Sequence, residues 1–172
     1  MARPRTRTAA APPAPLDPAG ADAQTRRRLS GPAFRTFLNI AEEWGLDEAQ
    51  RLRVLGMPGR STYYAWREKA ARGAGFSLGL DALLRLSAVF GVYKALAILF
   101  PDRATAKKWL YAENAGPLFG GQRPLDLLAN GTQEGILLLR RFLDGWRGGT
   151  GSPSAGGAFE LSSLDEDDIV IV

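Results

Sequence analysis

Between Ser30 and Arg147 large apolar residues return every three or four positions, and nowhere do they alternate with period two long enough to make a strand. The chain is therefore expected to be all-α; only Ile169 to Val172 is β-prone, and that run is short. Glycines and prolines divide the helical pattern. Ser30 suits a cap and Pro32 an early helical position, ahead of Phe34, Phe37, Leu38, Ala41 and Trp44, and Gly45 stops the run. Asp47 and Glu48 open a second helix that ends at Gly56. Met57 to Arg60 reads as a turn, Ser61 as the cap of a third helix reaching about Ala71, and Arg72 to Gly75 as a linker. Ser77 suits the cap of a fourth helix ending at Gly91, followed by short helices over Tyr93 to Phe100 and Arg103 to Leu110. After an irregular stretch from Asn114 to Pro124 come a helical turn at Leu125 to Leu128 and a last helix capped by Thr132.

The chain of 172 residues is long enough for one domain or two small helical ones. It contains neither cysteine nor histidine. Disulfides, thiolate metal sites, imidazole ligands and the commonest general acid-base residue are thus all missing. No enzyme activity, catalytic residue, cofactor or metal is expected, and a cytoplasmic location fits the absence of cysteine. No apolar run approaches the roughly 18 residues of a membrane span, so no membrane association is expected.

The net charge of +4 is unevenly spread. Residues 1–29 carry six arginines (Arg3, Arg5, Arg7, Arg26, Arg27, Arg28) with few large apolar side chains, which reads as a disordered basic arm. Pro12, Pro13, Pro15 and Pro18 break its weakly apolar run, so it is not read as an export signal. Its arginines are either solvated or in contact with phosphates. From residue 150 onward there are five acids and no base, behind a glycine linker that begins at Gly148. This acidic tail is expected to be flexible, and to order only against a partner or against the chain's own basic surface. Between arm and tail, residues 30–74 and 75–149 are expected to form two successive helical regions.

Residues 47–69 carry the strongest local signal. Two short helices flank a tight glycine-containing turn, and the second begins with short polar and basic side chains and has aromatics behind them. A helix-turn-helix needs that order, because the start of its second helix reaches base edges while the aromatics hold it in place. Arg60, Ser61, Thr62, Tyr64 and Arg67 are the candidate DNA-binding residues, with Tyr63 and Trp66 as buried anchors. From pattern alone a plain helical hairpin remains the other reading. The glycines of the Asn114–Pro124 stretch also allow two readings, of which the pattern alone favours the second. They either permit close approach of a partner or a ligand phosphate, or only make turns in a packed connector.

The residues Leu83 to Ser87, Phe90 to Asp102, Lys108 to Leu110, Asn114, Pro117 to Leu128, Gly131 and Leu139 to Gly149 together resemble the toxin-binding domain of Xre/MbcA/ParS-type antitoxins. That family also places a helix-turn-helix in front, as residues 32–72 do here, so the resemblance covers about two-thirds of the chain. It implies a homodimer that binds operator DNA, represses its own operon and caps a toxin, often a RES-type, NAD-consuming or ADP-ribosyltransferase-like one. On this basis the candidate toxin-binding residues are Asn114, Phe119, Gly120, Gly121, Arg123 and Pro124, with Arg140, Arg141, Asp144 and Trp146 on the last helix. The segment 78–149 is expected to have apolar residues enough for a core of its own. The long basic arm and the acidic tail depart from the family pattern. A stand-alone helix-turn-helix repressor with no toxin partner is the alternative, and an NAD-handling enzyme is disfavoured because no dinucleotide fingerprint is present.

Overall fold

The computed structural model describes residues 22–149. Over that span the chain forms α1 (Ala23–Trp44), α2 (Glu48–Val54), α3 (Arg60–Ala71), α4 (Leu80–Leu99), α5 (Arg103–Tyr111), α6 (Pro124–Leu128) and α7 (Gln133–Arg147), with no strand among the described residues. The chain is all-helical, as the apolar spacing requires. Expectations for residues 1–21 and 150–172, including the arm's Arg3, Arg5 and Arg7 and the acidic tail, lie outside the described residues.

Helix α1 begins earlier than expected, its cap lying eight residues before Ser30. Asp22 caps it, accepting from the Thr25 N–H at 2.7 Å. Arg26, Arg27 and Arg28 therefore sit on its first two turns rather than in a disordered arm. Ser30 is not a cap. It is fully buried inside α1, where its hydroxyl donates to the Arg26 carbonyl at 2.7 Å and accepts from the Leu78 N–H at 2.8 Å. A buried hydroxyl needs such partners; here the second one fastens α1 to the approach of α4. Gly45 ends α1 in the left-handed region, as expected, with φ 74.

Two further expected caps move. Helix α3 starts from Gly59 instead of Ser61, and α4 from Gly79 instead of Ser77, neither with a side-chain cap. Gly91 does not end α4, which runs unbroken to Leu99. The glycine serves close packing: a Cβ there would lie 2.5 Å from Nε of Arg140, whose side chain crosses α4 at that point. Once continuous, α4 has the length and mean hydropathy (1.7) of a membrane span, contrary to the expectation that no such run exists. Much of its apolar surface is used internally, because α4 packs against α7 on one side and α1 on another and buries Leu83, Leu86, Val89, Val92, Ala95 and Leu96, while Leu80 and Ile98 stay exposed.

One core runs through the described residues, from Phe34, Phe37 and Trp44 through α4 to Leu125, Leu139 and Leu143. The expected linker at 72–75 leads directly into buried Phe76 and Leu78. Further ties join α1 to α4 and α5. The Tyr93 hydroxyl donates to Glu43 at 3.1 Å, Arg103 pairs with Glu43 at 3.2 Å, and the Tyr111 hydroxyl donates to the Trp44 carbonyl at 2.9 Å. The core of the segment 78–149 is thus continuous with that of α1.

Candidate DNA and toxin interfaces

The first candidate surface is built by α2 and α3. Asp47 and Gln50 hold the start of α2 in a reciprocal capping box, with the Gln50 N–H donating to Asp47 at 2.7 Å and the Asp47 N–H donating to Gln50 at 2.9 Å. The turn after α2 passes through Gly56 at φ 85 and Met57 at φ 60. Its positive φ favours glycine at 56, and a Cβ there would also displace the ends of the Asp81 and Arg85 side chains, 2.7 and 2.9 Å away. This turn sets the angle at which α3 leaves α2. Tyr63 is buried edge-on against Phe34, with ring centroids 6.0 Å apart, and Trp66 meets the same ring at 5.9 Å. Both expected anchors thus fix α3 onto α1.

Arg60, Ser61, Thr62, Tyr64 and Arg67 are all exposed, and the first three stand together at the start of α3. With no side chain capping Gly59, the first N–H groups of α3 have no side-chain acceptor, and a helix start in that state attracts anions. The Arg67 guanidinium lies 5.7 Å from the Tyr64 ring centroid and 5.8 Å from that of Tyr63. One residue here escaped the sequence reading. Glu48 accepts the Tyr64 hydroxyl proton at 2.5 Å and pairs with Arg60 at 3.4 Å, so a single carboxylate holds two of the five candidate residues. The hydrogen bond from its hydroxyl to Glu48, and after it the carboxylate's charge, holds the Tyr64 pKa above the ordinary tyrosine value. In the sequence Glu48 registers only as a first-turn acid.

The second candidate surface is the loop between α5 and α6 together with α7. The loop closes on itself: the Gly121 N–H donates to the Asn114 carbonyl at 2.9 Å, the Asn114 N–H to the Gln122 carbonyl at 3.2 Å, and the Gly116 N–H to the Asn114 side chain at 2.9 Å. Gly120 and Gly121 have φ 57 and 88, and a Cβ on either would meet nothing within 4 Å. Their backbone needs glycine, while the space outside them is open to a partner.

Phe119 and Pro124 are buried. Phe119 points inward, 5.0 Å from the Phe142 ring and 6.2 Å from Trp109, and pins the loop to α5 and α7. Trp146 is half-buried against Phe100 and Trp109. Arg123 forks onto Asp126 at 2.8 and 2.6 Å, which raises its pKa and lowers that of Asp126. Arg140 and Arg147 both approach Asp144, at 3.6 and 3.4 Å, and exposed Arg141 lies 3.5 Å from Glu134. The expected residues divide into an exposed set (Gly120, Gly121, Arg141), a half-exposed set (Asn114, Arg123, Arg140, Asp144, Trp146) and the two buried supports. Among the described residues no group of three or more carboxylates is placed to hold a metal ion.

Comparison with known proteins matches these two surfaces to two family models. Residues 23–91 match the antitoxin Xre-like helix-turn-helix domain. Residues 95–149 match the antitoxin Xre/MbcA/ParS C-terminal toxin-binding domain. The chain belongs to the Xre/MbcA/ParS antitoxin family. The helix-turn-helix match begins at the true start of α1 and continues past residue 75 into α4, so that the two matches meet within one continuous helix. An uncharacterized protein, y4oB, of Sinorhizobium fredii (strain NBRC 101917 / NGR234) is 36% identical over 116 residues, covering 67% of this antitoxin and 84% of that protein. No solved structure matches the chain. The antitoxin thus carries a helix-turn-helix domain followed by a toxin-binding domain.

Proposed function

We propose that this chain is the antitoxin of a type II toxin–antitoxin system, which occludes a toxin with residues 114–123 and α7 and represses its own operon through α3. The observation that carries the reading is the pair of adjoining family matches laid over two separate exposed surfaces. The toxin is of RES type, NAD-consuming, or ADP-ribosyltransferase-like, a choice supported by the family resemblance. Inhibition is steric and electrostatic, by covering a site, and requires no reacting group in the antitoxin. A homodimer would present two copies of α3 to half-sites about one helical turn of DNA apart.

At the operator, Arg60, Ser61 and Thr62 enter the major groove first, and the unfilled start of α3 faces a phosphate. Tyr64 and Arg67, one and two turns further on, contact the backbone. Arg60→Ala is expected to weaken operator binding by about 1–3 kcal/mol if the guanidinium reads a guanine edge, with discrimination falling at one base position. Gel shifts with the DNA immediately ahead of the chain's own reading frame, against a scrambled duplex, measure this. An Arg60/Arg67 double substitution with unchanged affinity for both duplexes removes α3 from the interface.

A further inference from the structure

Two open notches flank α3 on its α1 side, and Arg35 lines both. One, of about 580 Å³, lies between α1 and α3 and also takes in Tyr64, Arg67 and Glu68. The other, of about 500 Å³, lies past the end of α3, where Arg27 and Arg28 face the Gly73–Gly75 turn. Arg27 reaches across this turn, since a Cβ on Gly75 would stand 3.2 Å from its Nε. Arg35 donates to the Ala70 carbonyl at 3.4 Å, which holds its guanidinium at the last turn of α3. All of these arginines are exposed, and among the described residues none of Arg27, Arg28, Arg35 and Arg67 has a carboxylate within ion-pair distance. The nearby acids are already engaged: Glu68 with Arg72 at 2.8 Å and Glu48 with Arg60 at 3.4 Å.

Exposed arginines that converge on a notch with no counter-charge create a site for anions, and a guanidinium fork matches phosphate oxygens. From Arg60 to Ala71 helix α3 is about 18 Å long. Phosphates along one DNA strand rise about 3.4 Å each, so a track of that length spans about five of them. We infer that Arg27, Arg28 and Arg35 form a phosphate-binding notch that grips the DNA backbone beyond the far end of α3. Base reading then lies at one end of α3 and a sequence-independent clamp at the other, with Arg67 between. The inference rests on the DNA-binding reading above and extends the interface to α1.

The test uses the full chain with two labelled duplexes of equal length, one from immediately ahead of its own reading frame and one scrambled, over a series of salt concentrations. Arg27→Gln/Arg28→Gln is expected to weaken both duplexes by the same factor. It should also flatten the slope of log affinity against log salt by about 1.8, two phosphate contacts at about 0.9 each. Arg27→Lys/Arg28→Lys keeps the charge and is expected to keep most of the slope, which a merely structural role for the arginines would not produce. An unchanged slope in the glutamine variant, with the wild type binding normally, overturns the notch and leaves the α3 reading standing. No binding of either duplex by the wild type overturns the DNA reading and the notch with it. Calorimetric titration with inorganic phosphate separates the sources of the anion. Heat seen in the wild type and lost in the glutamine variant, together with an unchanged salt slope for DNA, would assign the notch to a free phosphate and overturn the backbone role.

Discussion

Glu48 shows how much a single side chain decides at the proposed DNA face. Its carboxylate holds Arg60 and Tyr64 in place, yet it sits beside the surface where phosphates would arrive. Glu48→Gln is expected to release Arg60 and to remove a repulsive charge. Affinity for duplex DNA should rise by up to about fivefold, the worth of an exposed pair, and most clearly at low salt. The same variant should bring the Tyr64 titration, monitored by tyrosinate absorbance, down toward the ordinary range, because Glu48 supplies both the hydrogen bond and the charge that raise it. Unchanged affinity together with an unchanged titration would mean that the carboxylate is not coupled to the reading residues. Sequence reasoning found Arg60 and Tyr64 because short basic and aromatic residues at a helix start carry a pattern. It missed Glu48 because the pairing spans two helices, which spacing along one helix does not encode.

At the scale of elements, the loop between α5 and α6 depends on one buried ring. Phe119 is 4% exposed and wedged against Phe142 and Trp109, while the glycines beside it face open space. Phe119→Ala is expected to cost about 3–5 kcal/mol, as deletion of a buried ring does, and to lower the melting temperature by roughly 10 °C or more. A ring serving only as a toxin contact would leave the melting temperature of the free protein unchanged, so thermal unfolding separates the two roles. The loop's existence was legible in its glycines and prolines, but not which way Phe119 points, since an aromatic beside two glycines suits either side. Gly91 is the companion case. Its sequence position suggests a helix stop, but the cause of the glycine lies on α7, in the Arg140 side chain that crosses it. The early start of α1 was hidden for a different reason: its first two turns are polar and arginine-rich, so no apolar stripe announces them.

For the whole molecule, the helix class and the helix count near each candidate surface were visible in the apolar period and the punctuating glycines, whereas the toxin-binding segment stood out only through the family resemblance. The sharing of the core was not visible. α4 is long and apolar because it serves both α1 and α7, and a glycine in its middle disguised it as two short helices. Because the core is continuous with α1, the proposed toxin-binding part is best assayed in the full chain. The central claim is that this chain neutralises a toxin through a surface separate from its DNA face. The most direct measurement is growth of cells that express the toxin encoded beside this chain's gene together with full-length antitoxin variants, scored alongside co-purification of the two proteins. Rescue and a stable complex are expected with the wild type and with Arg60→Ala, and loss of both with Gln122→Glu/Arg141→Glu, which alters exposed positions on the loop and on α7. Persistent growth arrest with the wild-type chain, with no complex recovered, would contradict that claim.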